Sequence, residues 1–90
     1  MGLIMAKFKL VMIDSEGITE AVDIDSDETI VNTLYHCVNE YLNELNTDGF
    51  LDDSELIASS YELVDSCEST TTSATAYITT TETQYVLVKV

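Results

Sequence analysis

The sequence predicts an α+β domain in which one main helix packs on one face of a mixed or antiparallel sheet of four to five strands. Three observations indicate this class. Apolar and polar residues alternate near both ends of the chain, and a broad apolar stripe at helical spacing lies between them. Hydrophobic residues make up 46% of the chain, which is enough to bury a core. The length fits one domain over residues 1–90, with residues 1–4 as a candidate N-terminal extension.

The first predicted element is a hairpin of two strands, at residues 6–13 and 18–24. Both segments alternate and are rich in residues that favour strands. Residues 14–17 between them combine Asp, Ser and Glu with a glycine, which is typical of a tight turn.

The main helix is the element with the strongest sequence signal. Asp25 or Ser26 can cap its first turn, and Glu28 lies three residues after Asp25, as a capping box requires. Gly49 is a suitable stop beyond its last turn. The stripe at 3.6-residue spacing comprises Ile30, Val31, Leu34, Cys37, Val38, Tyr41, Leu42 and Leu45.

The second half of the chain is predicted to supply the remaining strands. A short helical turn at residues 56–57 precedes a candidate strand at 61–67. Residues 74–81 and 84–90 then form a C-terminal hairpin around Glu82, because they carry the most strand-like residues of the chain. The predicted order is ββαβββ.

The opening hairpin followed by Asp-Ser-Asp-Glu-Thr-Ile at residues 25–30 resembles the ubiquitin-like β-grasp arrangement. This resemblance covers about half of the chain and implies a single helix packed on one sheet. Ubiquitin-type conjugation is not implied, because the chain does not end in Gly-Gly. A split βαβ fold is the rival arrangement, and it needs a second full helix that the pattern does not indicate.

The charge balance is the most unusual property of the sequence. Seventeen Asp and Glu face three Lys and no Arg, which gives a formal net charge of −14. The lysines, Lys7, Lys9 and Lys89, lie near the two ends of the chain. Direct binding to nucleic acid or to an anionic membrane is therefore disfavoured, because both require basic residues. The absence of a long apolar run or a signal-peptide pattern predicts a cytoplasmic location. Adaptation to high salt is an alternative explanation of the acidity.

Catalysis has few candidate residues in this sequence, and we predict a protein that is not an enzyme. His36 is the single histidine, and no nucleophile elbow or phosphate-binding glycine loop is present. Cys37 and Cys67 have no second ligand at zinc-site spacing, so we expect free thiols and no cofactor.

The acidic segment from Glu44 to Glu55 supports an alternative hypothesis, a small calcium-binding module. Its glycine falls at the sixth position of an EF-hand-like loop, where a sharp turn folds oxygen ligands around one ion. Glu44 departs from the pattern, which favours Asp at the first position. The candidate ligands are Glu44, Asn46, Asp48, Phe50 through its carbonyl oxygen, Asp52 and Glu55.

The main functional hypothesis concerns carboxylates at regular intervals. Asp23, Asp25 and Asp27 alternate along an extended segment, at steps of about 6.7 Å, which approaches the phosphate repeat of a nucleic-acid strand. Such an array suits a groove whose Arg and Lys receive phosphates. The candidate partner-binding residues are Asp23, Asp25, Asp27, Glu40, Glu44, Asp48, Asp52 and Asp53.

In size and charge the chain resembles small acidic proteins of viruses and mobile elements, including uracil-glycosylase inhibitors, anti-restriction proteins and anti-CRISPR proteins. The resemblance implies a phage-encoded, nucleic-acid-mimicking inhibitor that acts in the host cytoplasm. Its partner is expected to be a basic groove on a nucleic-acid-binding protein. A structural or assembly protein with a Thr-rich sheet edge from Thr70 to Thr83 is the remaining alternative.

Overall fold

The computed structural model of the chain describes residues 5–90, apart from the side chain of Thr19. The extension predicted over residues 1–4 lies outside this range. Seven elements follow one another in the order ββααβββ. Their bounds are Ala6–Asp14 (β1), Gly17–Ser26 (β2), Ile30–Thr47 (α1), Asp53–Ser66 (α2), Glu68–Ser69 (β3), Ser73–Ile78 (β4) and Thr83–Lys89 (β5).

The five described strands form one antiparallel sheet in the order β2-β1-β5-β4-β3. Strand β1 pairs on both sides, so that Phe8 lies opposite Ile24 of β2 and opposite Lys89 of β5. The predicted α+β class is confirmed, and of the two sheet types that the sequence left open, the antiparallel one is observed.

Alternation along the strands gives the sheet one covered and one uncovered face. In β1, Phe8, Leu10 and Met12 are buried, whereas Lys7 and Lys9 are not. Both helices pack on the face that carries the buried residues. The core between the helices and this face comprises Phe8, Leu10, Met12, Leu34, Val38, Leu42, Leu51, Leu63, Ala74, Ala76, Ile78, Tyr85 and Leu87.

Helix α1 is confirmed, but its cap is not the predicted one. Strand β2 continues through Ser26, so neither Asp25 nor Ser26 caps the helix. Thr29 is the N-cap, and its hydroxyl accepts a hydrogen bond of 3.2 Å from the Asn32 amide. The predicted stop is correct, because Gly49 adopts a φ of +86° directly after the C-cap.

Helix α2 corrects the predicted strand at residues 61–67. It begins with a capping box, in which Asp52 and Glu55 each accept a hydrogen bond from the other's backbone amide. Five of its 14 residues, two Glu, two Leu and one Ala, are good helix formers, and no β-branched run interrupts them. The β-grasp resemblance therefore ends at α1. The second helix that a split βαβ fold needs is present, but it follows α1 directly, with no strand between them.

The C-terminal hairpin is confirmed, and the two edges of the sheet differ. At the outer edge of β4, the Ser66 hydroxyl donates to the Tyr77 carbonyl and accepts from the Tyr77 amide, at 2.9 and 3.0 Å. One oxygen of Glu62 accepts from the Thr79 amide at 2.6 Å, and β3 pairs with the first half of β4. Helix α2 and strand β3 thus cover the outer edge of β4 within the Thr-rich segment from Thr70 to Thr83. The two strands of the described sheet that have a neighbour on one side only are β2, with ten residues, and β3, with two.

Candidate protein-interaction surface

The lysines of the chain and eight of its seventeen acids lie on different layers of the structure. All three lysines lie on strands, Lys7 and Lys9 on β1 and Lys89 on β5. The helical layer, defined as residues 30–66, contains no Lys or Arg. Its acidic residues are Glu40, Glu44, Asp48, Asp52, Asp53, Glu55, Glu62 and Asp65.

Three of these acids form a line along α1. Glu40, Glu44 and Asp48 follow one another at four-residue steps, which correspond to about 6 Å along a helix axis. All three are exposed. His36 precedes them by one more step, and its Nε2 lies 3.5 Å from a carboxylate oxygen of Glu40. We call Glu40, Glu44 and Asp48 the acidic line.

The acidic line lies at the end of α1 where acids are least favourable for the helix. The C-terminus of a helix carries a partial negative charge, so cations there stabilise it and acids destabilise it. Glu44 lies in the last turn of α1 and Asp48 is its C-cap, while no basic residue is present in that turn. The placement of these two acids is therefore not explained by the stability of the helix.

The connection between the helices holds the neighbouring acids on a fixed backbone. The amides of Phe50 and Leu51 both donate to the Leu45 carbonyl, at 2.9 and 3.3 Å, and the Leu51 side chain is buried in the core. The Asn46 side-chain amide donates to the Leu51 carbonyl and to a carboxylate oxygen of Asp53, both at 3.0 Å. A residue of α1 therefore fixes the orientation of the Asp53 side chain, although Asp53 belongs to α2.

The same connection does not have the conformation of a calcium loop. Glu44 and Asn46 lie within α1, and Glu55 lies in the first turn of α2, so the chain does not curl around a single point. Asp52 and Glu55 are occupied by the capping box. The Glu55 amide, and next the Ser54 hydroxyl, hold the pKa of Asp52 below its ordinary value of 3.8. Among residues 5–90 no three acidic, His or Cys side chains come together as a metal site.

Two acids of β2, Asp23 and Asp25, lie on the face of the sheet opposite the helices. Asp23 and Asp25 are the cross-strand neighbours of Lys9 and Lys7, so their side chains share the uncovered face of the sheet with these cations. A nitrogen–oxygen distance of 3.4 Å joins Lys9 to Asp23. The eight predicted partner-binding residues therefore do not form one surface.

Of the other predicted residues, Asp27 lies in the connection between β2 and α1, and Asp52 is the α2 cap. Glu40, Glu44, Asp48 and Asp53 remain together in the helical layer. The sequence alone does not show which acids lie beside cations. Lys7 and Asp25, for example, are 18 residues apart in sequence (25 − 7), and only the register of the first hairpin brings them side by side.

Helix α2 carries an exposed apolar stripe that was not predicted from the sequence. Ile57, Tyr61 and Val64 are exposed by 58%, 72% and 55%. They are spaced at i, i+4 and i+7, which places them on one face of the helix. Asn39 and Asn43 of α1 lie across a shallow groove from this stripe. The spacing is present in the sequence, but it indicates a common face only once residues 53–66 are known to form a helix.

The environment of the Cys37 thiol favours its protonated form. Cys37 and Cys67 are both free and half-buried. Burial, and then the negative charges of Glu40 and Glu28, raise the pKa of the Cys37 thiol above its ordinary value. This thiol is therefore protonated at neutral pH, whereas a catalytic cysteine needs its thiolate form.

Comparisons of the chain with known protein families, with curated proteins and with solved structures find no match. None of the described helices has both the length and the apolar character needed to cross a bilayer.

Proposed function

We propose that the protein is a non-catalytic, acidic interaction protein that occupies a basic groove on a nucleic-acid-binding protein and so excludes the nucleic acid from it. The observation that supports this proposal is the composition of the helical layer, which has eight acidic residues and no Lys or Arg. A groove lined with Arg and Lys complements such a surface, and charge-assisted hydrogen bonds to carboxylates are stronger than neutral ones.

The acidic line is the proposed centre of this surface. Its step of about 6 Å lets successive carboxylates meet successive cations of a groove that normally receives phosphates. Arg suits this role because its planar group can form two parallel bonds with one carboxylate. Glu44 and Asp48 also weaken the end of α1, which is consistent with a benefit that arises only when a cationic partner is bound.

Asp23 and Asp25 have a smaller part in this proposal than the sequence alone assigned to them. Lys9 and Lys7 offset their charges, and the sheet separates them from the acidic line. A partner that covers the helical layer does not reach the uncovered face of the sheet. These two aspartates therefore supply a matched control.

The experiment compares two double variants that each remove two negative charges with little change in side-chain shape. Glu40→Gln/Glu44→Gln neutralises the acidic line, and Asp23→Asn/Asp25→Asn neutralises the strand acids. Each immobilised protein is exposed to a bacterial lysate at about 0.05 M and about 0.5 M salt, where charge screening differs strongly. Native circular dichroism spectra establish that both variants are folded.

The proposal predicts a set of proteins that the parent and the strand variant retain at low salt and the acidic-line variant loses. A retained protein is then purified with its labelled nucleic acid, and the parent is expected to displace that nucleic acid. Retention of the same proteins in equal amounts by both variants would contradict the proposal. Simultaneous binding of the nucleic acid and this protein to the retained protein would contradict it as well. Binding of a retained protein that persists unchanged at high salt also contradicts it, because screening should weaken a charge-driven contact.

A further inference from the structure

Helix α2 presents three polar side chains, Ser59, Glu62 and Ser66, to the sheet and a row of large apolar ones to solvent. Ser59 is fully buried, and its hydroxyl donates to the Thr80 hydroxyl at 2.9 Å. Glu62 and Ser66 form the bonds described above to the edge of β4. The apolar stripe of Ile57, Tyr61 and Val64, by contrast, has no described element over it. An exposed apolar row of this kind is typical of a protein-binding surface.

The groove beside the stripe has a polar wall. Asn39 and Asn43 of α1 lie across from it, and the Asn43 side-chain amide donates to the Asn39 carbonyl at 2.8 Å. The Ser60 hydroxyl donates to the side-chain oxygen of Asn39 at 3.4 Å, so the two helices are linked across the floor. The wall is therefore neutral, and an apolar side chain can enter the groove without burying a carboxylate.

Charge flanks the groove and the stripe. Asp53 lies one turn before Ile57 on α2, whereas Asp65 lies on the flank of α2 away from Asn39 and Asn43, beside Glu62 and Ser66. Glu40 and Glu44 continue the acidic surface on α1. A second copy of this chain would bring the same charge of −14 to the contact, and like charges repel. A cationic occupant gains from the same charges.

We propose that the groove binds an amphipathic α-helix of the basic partner, with the partner's apolar side chains on the stripe and its Lys or Arg over Asp53 and Asp65. The stripe extends over seven residue steps, about 10 Å, which corresponds to two turns of a bound helix. The exposed ring of Tyr61 also offers a face for an Arg side chain. This inference rests on the proposed function and adds that recognition requires apolar anchors as well as charge.

The test uses two fluorescent peptides of identical composition, rich in Lys, Arg and Leu. In one, the leucines repeat at i, i+3, i+4 and i+7, so that they form one face of a helix. In the other, the same residues are scrambled so that the leucines point in all directions. Fluorescence anisotropy gives the affinity of the full chain for each peptide at low salt. The parent is expected to bind the amphipathic peptide about tenfold more tightly than the scrambled one.

Two variants with the same residue changes separate the stripe from general apolar exposure. Ile57→Ser/Tyr61→Ser removes the stripe, and Ile18→Ser/Tyr77→Ser removes an Ile and a Tyr that are exposed on β2 and β4. The first variant is expected to bind both peptides to within about twofold of each other, whereas the second keeps the parent's preference. Glu40→Gln/Glu44→Gln is expected to weaken the binding of both peptides by a similar factor.

The outcomes distinguish this inference from the proposed function. If the parent does not prefer the amphipathic peptide, or if the stripe variant keeps the preference, the inference is wrong. The proposed function still holds in that case, provided that Glu40→Gln/Glu44→Gln weakens both peptides. If the affinity for both peptides is unchanged by Glu40→Gln/Glu44→Gln and by added salt, the proposed function is wrong. Sedimentation that shows a parent dimer, dissociated by Ile57→Ser/Tyr61→Ser, would assign the stripe to self-association and overturn the inference.

Discussion

The two helices of this protein pack on the same sheet by different means. In α1, Leu34, Val38 and Leu42 are fully buried, and Thr33 is the one polar residue that is buried with them. In α2, Leu63 is the one large apolar residue that is fully buried, and the helix is attached to the sheet through Ser59, Glu62 and Ser66. Apolar packing therefore fixes α1, and polar bonds supplement a smaller apolar contact in α2.

The difference shows which helix uses its apolar residues for packing and which leaves some of them exposed on the surface. A helix held by side-chain bonds to a strand edge does not need its remaining apolar residues for packing. Ile57, Tyr61 and Val64 of α2 are in this position, whereas in α1 no fully apolar row is left exposed among the described residues. The comparison can be tested by changing one contact of each kind and measuring the free energy of unfolding.

The largest expected effect comes from Leu42→Ala in α1. This side chain is fully buried, so its truncation leaves a cavity, and we expect the free energy of unfolding to fall by about 2–5 kcal/mol. Urea denaturation followed by circular dichroism measures the change. A loss below about 1 kcal/mol would show that apolar packing does not hold α1 and would remove the contrast between the helices.

A smaller effect is expected from Glu62→Ala in α2. The two carboxylate oxygens accept from the amide and the hydroxyl of Thr79, both at 2.6 Å, and we expect their loss to destabilise the protein by about 1 kcal/mol. Asp65→Ala is the control, because it removes a charge from the same helix and leaves the Thr79 bonds intact. Equal stability of the two variants in urea would mean that this bridge does not secure α2.

The caps of the two helices are expected to differ in their response to pH. Thr29→Ala removes a neutral cap from α1 and should lower stability by about 1 kcal/mol at any pH between about 2 and 7. Asp52 caps α2 as a carboxylate, and its pKa is lowered in the folded protein by the Glu55 amide. Its contribution is therefore present above the ordinary pKa of 3.8 and is lost as the pH falls through the lowered value.

Melting temperatures of the parent, Thr29→Ala and Asp52→Ala at several pH values check this prediction. The difference between the parent and Asp52→Ala should shrink in acid, while the difference for Thr29→Ala should not. Asp52→Asn serves as a further control, because Asn caps helices about as well as Asp but does not titrate in this range. If the melting temperatures of the parent and Asp52→Ala differ by the same amount at every pH, including pH values well below 3.8, the charge of the Asp52 carboxylate has no role in the cap.

The smallest effect on stability is expected from Ile57→Ser. More than half of this side chain is exposed, so its replacement should change the free energy of unfolding by no more than about 0.5 kcal/mol. Urea denaturation of this variant beside Leu42→Ala measures the contrast directly. A loss comparable with that of Leu42→Ala would show that the stripe belongs to the core and is not available to a partner.

The same contrast explains how much of the fold was predictable from the sequence. Helix α1 was predicted because its apolar residues mark its buried face, and both hairpins were predicted because their strands alternate. Helix α2 was missed because Ser59 and Ser66 face the sheet while Ile57 and Tyr61 face solvent, so the apolar residues do not mark the buried side. Hydrogen bonds to a strand edge leave no periodic signal in a sequence.

The candidate surface was only partly predictable for a different reason. Net charge is a property of the sequence, and it drew attention to Glu40 and Glu44, which the structure places on an exposed face of α1. Which acids are offset depends on strand register, and the pairing of Asp23 with Lys9 became visible only in the folded hairpin. The choice of Ser26 as a cap failed similarly, because strand pairing extends β2 by two residues beyond its predicted end at residue 24.

The closure of β4 by α2 limits how this protein can polymerise. Fibres grow when each molecule offers two free strand edges, because every added copy then exposes a new one. Within residues 5–90 the β2 side offers an edge of ten residues, whereas the other end of the sheet offers only the two residues of β3, so two copies joined at β2 would leave one short strand at each end. Very short edge strands are poor templates for pairing, so growth beyond two molecules is disfavoured, and the acids of β2 oppose even the first step.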